Sequence, residues 1–266
     1  MSVYLDHAAT TPMADAAIAA MTSSLSKIGN PSSLHTQGRA TRKDVEDARE
    51  VIAKAVGALP SEIIFTGSGT EADNAAIKGL FWKSGRKVIV ISAIEHHAVL
   101  DPARWLVEHE GAELIQIPVN ADGVIDCDFL EHLVATRGPE IALISVMAAN
   151  NETGVIAEIP AITALAKPFG IPVHSDAVAA FGHTPINFEA SGLAAMSISA
   201  HKVGGPVGVG ALVVGRAVKL TSLVHGGGQE RGMRSGTMDA AGAKAFALAA
   251  SLAVGELHSE HERLAR

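Results

Sequence analysis

The sequence is poor in the residues that mark several protein classes. It has one cysteine, Cys127, which excludes an internal disulfide framework and suits a cytoplasmic setting. Lys and Arg form no block and the net charge is −7, so neither nucleic acid nor an anionic membrane is an expected partner. No apolar run approaches membrane-spanning length, and the N-terminal MSVYLDHAATTP lacks the charged-then-apolar order of a signal peptide. Aromatic residues make up only 4%. Glycine, in contrast, is plentiful at 26 residues, and 48% of the 266 residues are hydrophobic. That composition fits one large α/β domain with many close-packed turns.

Residues 1–12 read as an arm, with Tyr4-Leu5 as a short strand and Pro12 closing an aperiodic stretch. Residues 13–27 are Ala-rich and helical, and residues 29–33 form a loop. The clearest helix spans 36–57, where Ala40, Val45, Ala48, Val51, Ile52, Ala55 and Val56 recur at helical spacing and Gly57 closes it. Strands are then expected at 62–66, 87–92, 113–119, 141–147, 172–175, 195–199 and 210–215. Helices are expected from Thr70, over 98–110, from an Asp126 cap to about 136, over 159–169, and from 240 to the end. This alternation predicts a three-layer α/β/α fold with a mainly parallel sheet, whose ligands sit beyond the C-terminal ends of the strands.

Unusual polar clusters fall at those ends. SAHKVGGPVGVG, residues 199–210, offers the primary amine of Lys202 for a Schiff base, with Ser199 and His201 placed to reach a phosphate. Gly67-Ser68-Gly69-Thr70 sits between a strand and a helix, so its N–H groups and the helix dipole suit a phosphate; a plain turn with a Thr N-cap is the alternative. Asp176, at a strand end, suits a protonated ring nitrogen, or else caps the next segment. His96 suits stacking on a flat ring, or is an ordinary partly buried histidine with His97 as its neighbour. In Asn150-Asn151-Glu152 an amide can serve a ring oxygen or a carboxylate, or simply form a turn. Together these are the parts that pyridoxal 5′-phosphate requires.

The stretches YLDHAATTP, NPSSLH, FTGSGTEADNAAIKG, EHHAVL, NNETGV, HSDAV, SAHKVGGPVGVGAL and GGGQERGMRSGT resemble the cysteine desulfurases, class V members of the fold type I pyridoxal-phosphate enzymes, across essentially the whole chain. The resemblance implies a large domain over residues 15–255, preceded by an arm (1–14) and followed at 256–266 by the start of a helix leading to a small C-terminal domain. It implies Lys202 as the Schiff-base lysine and proton carrier, His96 as the ring-stacking histidine and Asp176 as the partner of the ring nitrogen. Gly69, Thr70, Ser199 and His201 become phosphate ligands, Asn151 the neighbour of the ring oxygen and substrate carboxylate, and Thr237 a phosphate ligand from the other subunit of a homodimer. L-Cysteine is the implied substrate, L-alanine the product, and a sulfur-acceptor or iron–sulfur scaffold protein the implied partner.

Two departures stand out. The glutamine usual in the family three residues after the aspartate is Ala179 here, which removes one donor to the ring oxygen. The family's nucleophilic cysteine and carboxylate-binding arginine, carried by the small domain, have no counterpart; Cys127, at a helix start, reads as a partly buried, unreactive residue. The end at Arg266 predicts exposed apolar surface where a small domain would pack. Rival readings are a non-catalytic cofactor-binding or dimerisation module and a related class V enzyme such as a selenocysteine lyase or aminotransferase. A metal hydrolase built on His96, His97, His174, Asp176 and His201 is disfavoured, because the spacing matches no familiar ligand pattern and no metal is expected.

Overall fold

The computed structural model describes residues 3–266; Met1 and Ser2 of the arm lie outside the described residues. Each strand sends alternate side chains to opposite faces of one sheet, and both faces are covered. The strands are β1 (Ile63–Thr66), β2 (Val88–Ser92), β3 (Glu113–Ile117), β4 (Ile141–Ser145), β5 (Val173–Asp176), β6 (Ala195–Ser199) and β7 (Gly210–Val214). Their order is β1-β7-β6-β5-β4-β2-β3, parallel from β6 through β3, with β7 antiparallel to both β1 and β6.

Helix α1 (Asp15–Leu25), α2 (Thr36–Val56) and α8 (Ala240–Leu264) pack together on one face, with α5 (Cys127–Arg137) and α6 (Ile159–Ala166) beside them. That face buries Ile63, Phe65, Val88, Val90, Ile144, Val173, Met196 and Ile198. Helices α3 (Gly69–Ser84) and α4 (His97–Glu110) cover the other face, over Ile89, Ile91 and Leu143. A short helix, α7 (Phe188–Ser191), has no counterpart among the sequence expectations; its Asn187 side chain caps it by accepting from Ala190 N.

Local chemistry explains the boundaries. Gly57 ends α2 in the left-handed conformation at φ 64°, and Asp126 Oδ1 accepts from Phe129 N to start α5, both as expected. Helix α3 starts at Gly69 rather than Thr70, because Ser68 is the N-cap and accepts from Glu71 N. Tyr4-Leu5 forms no strand: the Tyr4 hydroxyl instead donates to the carbonyls of Asp6 and Thr10, folding the arm on itself. The expected strands at 113–119 and 141–147 stop at Ile117 and Ser145.

Two further expectations are corrected. Helix α8 is long and apolar enough to cross a membrane by length and composition, yet it packs on α1 and α2 with Phe246, Ala245, Ala249 and Ala250 fully buried. Cys127 is exposed rather than partly buried. Ile18 and Leu25 of α1, Val51 of α2, and Leu252 and Leu264 of α8 are exposed.

Candidate active site

The α3 face of the sheet turns polar toward the C-terminal strand ends. Alternation puts Val173, Ile144, Met196 and Ile198 on the opposite face, so Ser145, His174, Asp176, Ser197 and Ser199 point toward α3. Above them is a cavity of about 230 Å3 lined by Gly69, Thr70, His96, Asn151, Asp176, Ala179, Ser199, His201 and Lys202 among others. Eight of the nine residues expected at the site therefore meet in one place. The ninth, Thr237, lies outside the cavity, exposed on the loop after β7.

Each side chain is fixed by its local structure. Asp176 closes β5, is 4% exposed, and accepts from Val178 N at 2.8 Å. Burial pushes its carboxyl up, while the Val178 N–H and the His96 and Lys202 charges pull it back. His96 is the N-cap of α4, and its Nδ1 accepts from Ala98 N at 3.1 Å, which pins the ring at the cavity edge. His97 turns outward to Asp101. Asn150 forms the turn, its Oδ1 accepting from Glu152 N and Thr153 N, which leaves Asn151 to line the cavity.

Lys202 Nζ donates to the carbonyls of Ala8 and Ala9, so the N-terminal arm closes over the amine. Burial lowers the Lys202 pKa, against the pull of Asp176 and Asp6. His201 Nδ1 lies 3.1 Å from Thr10 Oγ1, and burial and the Lys202 charge lower its pKa.

At the start of α3 the backbone is closely approached by its neighbours. A Cβ on Gly69 would stand 2.7 Å from Val178 Cγ2 and 3.3 Å from Ser199 Cβ. At Gly210, opposite Thr66 in the β1–β7 register, a Cβ would stand 2.5 Å from Ser68 carbonyl carbon. These glycines keep the first N–H groups of α3 open to an anion.

The five residues of the metal reading do not converge: His97 is at the surface with Asp101, and His174 is sealed between Ser145 Oγ (2.9 Å) and Ser197 Oγ (3.0 Å). Sequence reasoning missed Asp73, Ala9, Met147 and Val178 as lining residues. Asp73 carried one available signal, its position one helical turn after Thr70.

Fold and cavity together define a site at the C-terminal ends of the central strands, with a single lysine amine, the buried Asp73 and Asp176, and the N-terminus of α3. The chain belongs to the aminotransferase class-V family, whose model matches residues 3–263. Within it, the chain is similar to the IscS-like cysteine desulfurase of Mycobacterium tuberculosis (strain ATCC 25618 / H37Rv), with 52% identity covering 98% of this chain and 67% of the relative. It is 47% identical to the cysteine desulfurase IscS of Dictyoglomus turgidum (strain DSM 6724 / Z-1310), over 98% of this chain and 66% of that protein. The chain thus spans about two thirds of the length of these relatives. Among solved structures, a NifS-like protein superposes with a TM-score of 0.94 at 38% identity, covering 98% of this chain and 72% of the other. A structure described as SspA in complex with cysteine gives 0.89 at 35% identity, covering 94% and 72%.

Proposed function

We propose that the chain holds pyridoxal 5′-phosphate at Lys202 and acts on L-cysteine as a desulfurase, giving L-alanine and passing sulfur to an acceptor. The observation that carries this reading is the convergence of Lys202, Asp176, His96, Ser199, His201 and the Gly69-Thr70 cradle on one cavity. The donor set fits the cofactor: an amine, a buried carboxylate and a backbone cradle that a Cβ would fill. When bound, the cofactor supplies an aldehyde carbon for the amine and a ring that withdraws electrons.

The residues of the chain do the rest. Burial lowers the Lys202 pKa, which eases loss of a proton from the amine that would serve as the nucleophile and as the base for the substrate Cα proton. Asp176, locked by Val178 N, would serve the ring nitrogen and favour its protonated form. His96 would form a wall against the flat ring. Gly69, Thr70, Ser199 and His201 would hold the phosphate, with Thr237 added from a second copy in a homodimer. Asn151 and Ala179 also border an adjoining chamber of about 330 Å3 that reaches Lys202, which gives the substrate room beside the cofactor. Cys127 lines a separate pocket and not the cavity that holds Lys202, so it is not read as the thiol that receives the sulfur; partial desolvation of its sulfur, with the Asp126 and Asp128 charges, raises its thiol pKa. The sulfur acceptor is a second protein, an iron–sulfur scaffold being the candidate, and the cytoplasm is the setting.

The test is to load the protein with pyridoxal phosphate, add L-cysteine and a thiol reductant, and quantify alanine and sulfide. Equal amounts of both, absent in Lys202→Ala, are expected. Bound cofactor without alanine would favour the second reading, a cofactor-binding module, which rests on Ala179 in the cavity lining, where the side chain offers no hydrogen bond.

A further inference from the structure

At the floor of the cavity lies a buried polar layer that the reading above does not use. Asp73, on α3, is 1% exposed and also lines the cavity. Its Oδ1 is buried without a hydrogen-bond partner and lies 3.6 Å from His174 Nε2. Glu95, between β2 and α4, accepts at Oε1 from Ser92 Oγ (2.5 Å) and Met147 N (2.7 Å), while its Oε2 is buried and unpartnered. Three carboxyl groups thus crowd the C-terminal edge of β2 and β5.

A buried, unpaired carboxylate costs several kcal/mol, and neighbouring carboxylates raise that cost, so each orphaned oxygen needs an explanation. The groups that face Asp73 are His174 and Asp176 from β5, Ser197 from β6, and Glu95. None of them is a cation, because burial drives the His174 pKa down to about 3 and keeps the imidazole neutral. Glu95 faces Ser92, Met147 N and Asp176, and again no cation. Only Asp176 feels Lys202 and His96 in addition to a backbone N–H. Burial and the Asp176 charge both push Asp73 well above the carboxylate range. Burial likewise pushes Glu95 up to about 8.

We propose that Asp73 and Glu95 are positioning residues that stand as neutral carboxylic acids behind Asp176, so that Asp176 alone carries negative charge on the cavity floor. With those two acids neutral, the pull on a cation entering the cavity comes from Asp176. Glu95 adds a geometric role, since its Oε1 ties the end of β2 to the chain after β4 immediately before His96.

The test uses the cofactor-free chain, so its failure leaves the desulfurase reading standing. Infrared spectra of the wild type, Asp73→Asn and Glu95→Gln are compared in the carboxylic-acid C=O stretch region, with thermal unfolding followed across pH. Each substitution is expected to remove one component of the acid band at neutral pH. The stability profile follows from the sign of the shift: a carboxyl raised in the folded state stabilises while protonated, and that stability is lost as pH rises through the folded pKa. Wild type should therefore lose stability progressively from the ordinary carboxylate range up to about pH 8, and Glu95→Gln should flatten that window. If either near-isosteric variant fails to fold, the wild-type band decides, since its presence at neutral pH and decay at alkaline pH report the buried acids. No acid band in the wild type, or variant spectra and pH profiles identical to wild type, would overturn the proposal.

Discussion

Replacing Glu230 with alanine is a sharp test of how the loop after β7 is held. Glu230 and Arg49 are 181 positions apart in the chain, yet they form a buried two-pronged ion pair: Oε1 to Nη2 at 2.7 Å and Oε2 to Nη1 at 2.8 Å. Oε2 also accepts from Phe65 N at 2.8 Å, and Arg49 Nη1 donates to Ile63 O at 2.6 Å. Glu230 and Arg231 both occupy the left-handed region, at φ 44° and 58°, so the contacts hold a backbone that favours glycine. Glu230→Ala leaves the guanidinium of Arg49, a residue 7% exposed, buried with only Glu46 and one carbonyl as partners. Breaking one side of a buried pair costs roughly 3–5 kcal/mol, well above the ~1 kcal/mol or less of an exposed pair. Urea unfolding of Glu230→Ala, Arg49→Ala and the double variant gives the coupling directly. A loss below about 1 kcal/mol for Glu230→Ala, or strictly additive single variants, would refute the reasoning.

Further outcomes follow from the cavity and the lone thiol. Gly69→Ala places a methyl 2.7 Å from Val178 Cγ2, so pyridoxal phosphate titration should show affinity weakened by about tenfold or more while the fold persists. Cys127→Ser, at an exposed position, should change stability by no more than about 0.5 kcal/mol and leave desulfuration intact. Wild-type Cys127 should react only slowly with alkylating reagents at neutral pH, as a raised thiol pKa requires.

The parts of the fold set by local chemistry were readable from the sequence. The 3.6-residue period of α2, the Gly57 stop and the Asp126 cap are encoded within a few neighbours. Most residues that line the cavity were readable because they fall at or just after strand ends, where polar residues interrupt apolar runs, and because the motifs are shared with a known family; Thr237 lies outside the cavity. What escaped depends on cross-strand register. Asp73 and Glu95 become buried acids only when α3 lies over β5 and the end of β2 meets that of β4, contacts no window of sequence displays. The Arg49–Glu230 pair escaped for the same reason. Cys127 was misjudged because a helix start does not reveal which side of its first turn faces solvent. The apolar length of α8 is explained by the two helices that cover it, α1 and α2.

The most direct test of the central claim is an absorbance titration of the purified chain with pyridoxal phosphate, run beside Lys202→Ala. A new visible band that saturates in the wild type and is absent from the variant is the result predicted by a cavity built around the Lys202 amine. No band in the wild type, or an equal band in both, would contradict the assignment of this cavity as the cofactor site.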